Sequence, residues 1–120
     1  MKYLCLVYLE EAKLHAVSDT ECLACGDGFR KNGLLLAAEA LQPMATAATV
    51  RVRNGTVAVV DGPFAETKEQ LAGFYLIEAK DLSVAIHHAA KIPPARYGTI
   101  EVRPVRELEV AAGPATLADR

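Results

Sequence analysis

The fold is decided by an apolar stretch near the start of the chain, KYLCLVYLE at residues 2–10. Two apolar sets alternate along it with a period of two, which is the pattern of a β-strand. The first set is Tyr3, Cys5, Val7 and Leu9, and the second is Leu4, Leu6 and Tyr8. Because both sets are apolar, we predict a strand that is covered on both faces.

Two helices are predicted outward from this strand. The first begins after Ser18, because Ser18 and Glu21 form a capping-box pattern, and it ends at Gly33. Its expected apolar stripe is Cys22, Cys25 and Phe29, with Leu23 beside them. The second helix begins after Asp81 and ends at the proline pair at residues 93–94. Its expected buried face, at helical spacing, is Leu82, Ala85, Ile86, Ala89 and Ala90.

The other periodic segments are predicted strands at residues 34–41, 49–53, 56–60, 73–78 and 99–103. Asn54 and Gly55 are a typical pair for a tight hairpin turn, and residues 61–70 are predicted to form a loop. This order predicts an α+β fold of the ferredoxin-like type, βαββαβ, with an inserted β-hairpin. We assign residues 1–105 to this domain and residues 106–120 to a C-terminal tail.

One face of the predicted sheet lacks a cover. Two helices cover a single face, yet the strands at residues 2–10 and 73–78 are apolar on both faces. An uncovered face of that size would be an unusually large apolar patch. The simplest cover is a second copy of the chain, packed sheet against sheet about a two-fold axis. We therefore expect a homodimer through the sheet face.

Composition and charge exclude several classes of partner. The chain has 120 residues, of which 52% are hydrophobic, and its formal net charge is -2. Without a basic block to neutralise phosphates, we expect no nucleic-acid partner. The early apolar run at residues 4–9 is too short to span a bilayer, so we expect no membrane association. Three cysteines leave one unpaired under any disulfide scheme, which favours a reducing, cytoplasmic location.

Metal and cofactor sites find little support in the sequence. Cys22 and Cys25 have C-x-x-C spacing, but a zinc site needs four ligands and only His15 lies close by in sequence. No glycine-rich nucleotide-binding motif is present. We therefore expect no metal and no cofactor, and we interpret the two cysteines as small apolar core residues.

The stretch DGPFAETKE at residues 61–69 resembles the DGPF signature of the YCII-related family. The similarity continues through residues 36–43, 49–53, 74–78 and 100–105, so that it covers nearly all of residues 1–105. It implies a dimeric α+β barrel, with a cavity between sheet and helices in each subunit. Some members of this family are isomerase-type or dehydrochlorinase-type enzymes that use a His/Asp pair. Most DGPF-type members have no assigned activity, and some lie near sigma-factor genes.

The sequence departs from the enzymatic pattern of that family, because residues 18–33 contain no histidine. Leu34 also stands where DGPF-type relatives often have histidine. Imidazole is the usual group for proton transfer near neutral pH, so carboxylates would have to replace it here. A carboxyl group held in a dry cavity can donate or accept a proton near neutrality. The candidates for this catalytic role are Asp61 and Glu39.

Five further residues are candidates for substrate binding, and they are Phe64, Glu66, Lys68, Glu69 and His15. The alternative is structural. Asp61 would bond its own turn amides, Lys68 would pair with Glu66 or Glu69, and Glu39 would be solvated at a sheet edge. His87 and His88 lie off the predicted apolar stripe of the second helix, so we expect them to be solvated or at its margin.

Two functions follow from this sequence. The first is a homodimeric small-molecule protein that performs acid/base chemistry such as isomerisation or elimination. The second is a non-catalytic ligand-binding or accessory module, linked to sigma-factor-controlled transcription, that uses the same cavity.

Overall fold

The computed structural model describes residues 1–110 and is α+β, with two α-helices and six β-strands in that range. The helices are α1 (Asp19–Lys31) and α2 (Leu82–Ala89). The strands are β1 (Lys2–Glu10), β2 (Leu35–Ala40), β3 (Ala48–Arg53), β4 (Thr56–Asp61), β5 (Glu69–Glu78) and β6 (Thr99–Pro104). The last part of the predicted tail, residues 111–120, lies outside the described residues.

The main sheet has four strands in the order β2-β5-β1-β6, and every neighbouring pair is antiparallel. The central position of β1 agrees with its apolar sequence on both faces. This strand order, with one helix after β1 and another after β5, is compatible with a ferredoxin-like fold. β3 and β4 pair with each other in a separate two-stranded sheet.

Both helices begin where the sequence predicts. The Ser18 hydroxyl accepts a hydrogen bond from the Glu21 amide at 3.2 Å, and the Asp81 carboxylate accepts one from the Val84 amide at 2.9 Å. Each cap satisfies an amide that the helix itself leaves unpaired. α1 is followed by Gly33, whose φ of 70° is the left-handed conformation common after a helix.

The core lies between the helices and one face of the main sheet. Its buried members from the sheet are Tyr3, Cys5, Val7, Leu9, Tyr75 and Ile77, and those from the helices and their flanks are Phe29, Ala85, Ala89 and Ile92. The rings of Phe29 and Tyr75 meet edge to face, with centroids 6.0 Å apart. The Tyr75 hydroxyl donates to the Cys22 carbonyl at 3.2 Å, so this buried polar group is satisfied.

The predicted buried face of α2 is wrong for its larger residues. Leu82 and Ile86 are 44% and 53% exposed, and Ala90 is exposed too, whereas Ala85 and Ala89 are buried. The helix has only eight residues and contacts the sheet through its small side chains, which leaves the bulky residues on its outer side. Leu23, expected beside the stripe of α1, is likewise 68% exposed.

The predicted loop at residues 61–70 is also too long, because β5 begins at Glu69. Its first residues complete the pairing with the end of β1, where Glu10 is the partner of Glu69 and Leu9 that of Gln70. Two polar residues at this point hide the alternation that would have marked a strand.

The helices leave the other face of the main sheet uncovered. Leu4 and Leu6 of β1 pair there with Leu76 and Phe74 of β5, and all four are partly exposed. We call these four residues the open sheet face. Separately, none of the described helices is long and apolar enough to cross a membrane.

β3 and β4 form an exposed ribbon, residues 48–61, joined through Asn54 and Gly55. Both turn residues have positive φ, 51° and 75°, as a type I′ turn requires. Register places one set of side chains on a single face, namely Val50, Val52, Val57 and Val59. These valines are between 55% and 62% exposed, so the described chain gives this face little cover.

Candidate functional site

Asp61 is the last residue of β4 and lies at the base of the ribbon, where it is exposed. The turn after Asp61 is stabilised by hydrogen bonds that do not involve the Asp61 carboxylate. The Gly62 amide donates to the Ala47 carbonyl at 2.6 Å, and the Thr49 hydroxyl donates to the Gly62 carbonyl at 2.9 Å. Within the described residues the Asp61 carboxylate accepts no hydrogen bond, so its oxygens remain available to a ligand.

Glu39 lies on β2, at the edge of the main sheet, and is exposed. Its register partner is Phe74, which places it beside the open sheet face. The two strands approach closely here. A Cβ atom on Gly73 would lie 2.7 Å from the Glu39 carbonyl oxygen, so a residue without a side chain is needed at that point.

Phe64 and Glu66 both lie in the loop after the ribbon and are exposed. The Phe64 ring is 71% exposed and lies against the Arg51 guanidinium, whose carbon is 5.1 Å from the ring centroid. This cation–π contact links the loop to the middle of β3. The aromatic face and the guanidinium offer stacking and anion-binding groups to a ligand.

Lys68 and Glu69 make contacts with the main sheet. The Lys68 ammonium lies 3.4 Å from a Glu10 carboxylate oxygen, and the Glu69 carboxylate accepts a hydrogen bond from the Thr99 hydroxyl at 2.7 Å. These contacts tie the start of β5 to the end of β1 and to β6. The predicted pairing of Lys68 with Glu66 or Glu69 is replaced by this pairing with Glu10.

His15 is exposed in the connection between β1 and α1. Neither of the two main clefts of the described chain is lined by any of the seven predicted site residues. The smaller cleft, about 10 Å³, lies at the end of the sheet, between Leu9, Leu14 and Met44. The structure therefore places Phe64 against Arg51 in the middle of β3, on the face of the ribbon opposite to Asp61. It places Asp61 at the ribbon base and Glu39 on the sheet edge.

The larger cleft, about 260 Å³, was missed by sequence reasoning. It lies between α1 and the C-terminal end of α2, and its lining includes Phe29, Leu34, His88 and Lys91. His88 is half-buried and meets the Phe29 ring edge to face at 6.0 Å. His87 is exposed, as expected, and His88 takes the other expected position, at the packed margin of the helix. The available signal was its position four residues after Val84, on the packed side of α2.

Burial lowers the pKa of His88, and the positive charge of Lys91 and the neighbouring His87 lower it further. Its Nδ1 atom is buried and has no hydrogen-bond partner among the described residues. A proton on that nitrogen would have no acceptor, so the ring is neutral near pH 7 and carries its hydrogen on Nε2.

The three cysteines are free thiols. Burial raises the pKa of Cys5 to about 11, and burial also raises the pKa values of Cys22 and Cys25. The Cys25 thiol donates a weak hydrogen bond to the Lys91 carbonyl at 3.8 Å. Thiols with raised pKa values are poor nucleophiles. In residues 1–110 no three His, Cys, Asp or Glu side chains are grouped to hold a metal ion.

Together these features define a small α+β protein with one covered and one open sheet face, and with carboxylates at the sheet edge and the ribbon base. Comparison with known proteins specifies it further. The model of the YCII-related domain matches residues 1–109, and the chain belongs to this family.

A curated relative from Rhizobium meliloti (strain 1021), named as an uncharacterised protein, is 49% identical over 67 residues. The alignment covers 54% of this chain and 54% of the relative, so it spans about half the length of each.

Proposed function

We propose that the protein is a homodimer that packs open sheet face against open sheet face and binds a small molecule at a site containing Glu39 and Asp61. These carboxylates perform acid/base chemistry such as isomerisation or elimination. The observation that carries the proposal is the position of Glu39, next to Phe74 on an apolar surface that its own helices leave bare.

The exposed apolar side chains support a second copy. The four residues of the open sheet face are partly exposed, and the four valines on one face of the ribbon are between 55% and 62% exposed. An interface between two copies would cover apolar surface of this kind.

The proposed acid/base chemistry follows from the loss of water around a carboxylate when two copies of the chain associate. A carboxylate at the edge of an apolar interface loses water when the partner arrives, and it then holds a proton more readily than in water. Arg51 and Phe64, which contact each other at the middle of β3, are suited to bind a planar or anionic part of the substrate.

The second candidate is a non-catalytic ligand-binding or accessory module. The observation that favours it is the engagement of Lys68 with Glu10 and of Glu69 with Thr99, because these contacts leave fewer groups for catalysis. The two functions share the same dimer and differ in the role of the carboxylates.

The test is a thermal-shift screen of the full chain with small hydroxy, keto and halogenated carboxylic acids. Compounds that stabilise the protein are then measured for affinity and turnover with Asp61→Asn and Glu39→Gln. We expect binding or turnover to fall at least about tenfold in both variants, with unchanged melting temperature. Glu11→Gln, at an exposed acid after β1, is the matched control.

Binding that survives both substitutions, with no turnover, would favour the accessory module over the enzyme. Binding and turnover that are unchanged in both would remove the two carboxylates from the site.

A further inference from the structure

The cleft between α1 and α2 lies on the helix side of the main sheet, away from Glu39. Its lining includes the apolar side chains of Phe29, Leu34 and Ala24, and its volume of about 260 Å³ is just below the range of sites for drug-sized ligands. The molecule that fits it is therefore small, about the size of one substituted ring.

Two polar groups that line the cleft are hydrogen-bond donors. An N–H on Nδ1 of His88 would be buried without an acceptor among the described residues, so the neutral ring carries its hydrogen on Nε2. Lys91 is exposed and also lines the cleft, and its ammonium has no acidic partner in the described part of the chain. Two donors, one of them charged, favour a ligand that carries a hydrogen-bond acceptor, and a carboxylate can accept from both of them.

Both helices end beside the cleft, and the partial negative charge of a helix C-terminus is reduced where its carbonyl groups are hydrogen-bonded. Carbonyl groups in their last turns are already bonded, since Gly28 accepts from the Asn32 amide and side chain and Phe29 accepts from the Leu34 amide. The Lys91 carbonyl accepts the Cys25 thiol, which also fixes the end of α2 against α1. These backbone groups are therefore satisfied, and the side-chain groups left over in the lining include the two donors and the Asn32 side-chain oxygen, which is an acceptor.

We propose that this cleft is a second binding site, which takes a small aromatic carboxylate with its ring against Phe29 and its carboxylate between His88 and Lys91. The ring contributes apolar contact and edge-to-face packing, and the carboxylate supplies the acceptor that both donors lack. The site requires no second copy of the chain, because all of its lining residues lie on one molecule.

The test is an NMR titration of the ¹⁵N-labelled full chain with benzoate. We expect saturable amide shifts confined to the residues of the cleft, with a dissociation constant in the range of about 1 mM. Lys91→Gln should weaken binding at least about tenfold, whereas Lys31→Gln, an exposed lysine at the end of α1 that does not line the cleft, should change it less than about twofold.

Benzyl alcohol serves as the uncharged probe and should bind at least about tenfold more weakly than benzoate. His88→Phe keeps an aromatic ring at this position and removes the Nε2 donor, so it should also lower the affinity for benzoate. Shifts that do not saturate, that fall outside the cleft, or that are the same in Lys91→Gln and the unmodified chain would overturn the proposal. Equal affinity for benzyl alcohol and benzoate would overturn the carboxylate assignment.

Discussion

Glu39 and Phe74 are register partners on β2 and β5, so a carboxylate of the edge strand lies next to an aromatic residue of the open sheet face. The pairing joins the two parts of the proposed function, since the same surface offers apolar contact for a second copy and a group for chemistry. Whether the open sheet face is covered in solution decides the surroundings in which Glu39 acts.

The first prediction concerns that surface. The chain is expected to sediment at micromolar concentration at twice its mass of 12.8 kDa. Phe74→Glu should give the single-chain mass, because it places a charge in the apolar interface. Leu23→Glu introduces the same charge on α1 at a side chain that is 68% exposed, and it should leave the mass doubled. A single-chain species from the unmodified protein would contradict the homodimer.

The second prediction concerns the close approach of β2 and β5. Gly73→Ala should lower the free energy of unfolding by at least about 2 kcal/mol, since the new Cβ meets the backbone of Glu39 and Ala40 and β2 has to move away from β5 to make room. Gly28→Ala is the matched control, because nothing lies within 4 Å of its Cβ. It should stabilise the protein by about 0.5–1 kcal/mol through its effect on α1. Urea denaturation of both variants measures the difference.

The third prediction is a pH dependence set by His88. Its pKa is lower in the folded chain than the ordinary value of 6.5, so the unfolded chain binds the extra proton as the pH falls below that value. The stability contribution of the neutral ring is therefore complete above about pH 6.5 and is lost as the pH falls toward the folded-state pKa.

The measurement is the free energy of unfolding by urea across this range of pH. His88→Leu should flatten the slope, because the group that titrates is removed. His15→Gln, at an exposed histidine between β1 and α1, should not flatten it. An identical slope in His88→Leu and the unmodified protein would show that other groups carry the dependence.

The fourth prediction concerns thiol reactivity. Cys5 is fully buried in β1 and its pKa is raised to about 11, so it should not react with a disulfide reagent at neutral pH until the chain unfolds. Cys22 and Cys25 are partly exposed and should react slowly in the native protein. Mass spectrometry of the labelled native and urea-unfolded chain assigns the sites. Rapid labelling of native Cys5 would show that β1 opens.

Much of the fold could be predicted from the sequence, because local sequence patterns and tertiary packing favour the same structure. The alternation in residues 2–10 gave the bounds of β1, and Ser18 and Asp81 cap the helices that follow them. The helical spacing of apolar residues mispredicted the buried face of α2, where the small residues Ala85 and Ala89 contact the core and the bulky Ile86 does not. Helical periodicity identifies an apolar side of a helix, but the space above the sheet decides which residues enter it.

The candidate site could be predicted less well from the sequence, since it depends on contacts between residues far apart in sequence. The family motif pointed to Asp61, but the local sequence did not show that Arg51 lies over Phe64 or that Lys68 pairs with Glu10. The cleft beside His88 of α2 is lined also by Phe29 of α1, and the local sequence around His88 does not show this contact. The surroundings of Glu39 depend further on a second molecule.

The ribbon also bears on how the protein avoids edge-to-edge aggregation. A two-stranded sheet has unpaired amide and carbonyl groups along both outer edges, and such edges can accept strands from other molecules. Arg51 and Arg53 lie on β3, so stacking identical ribbons in register would bring like charges within about 4.8 Å of each other along that edge. Their repulsion opposes fibril growth through β3, while an acidic strand could still pair there.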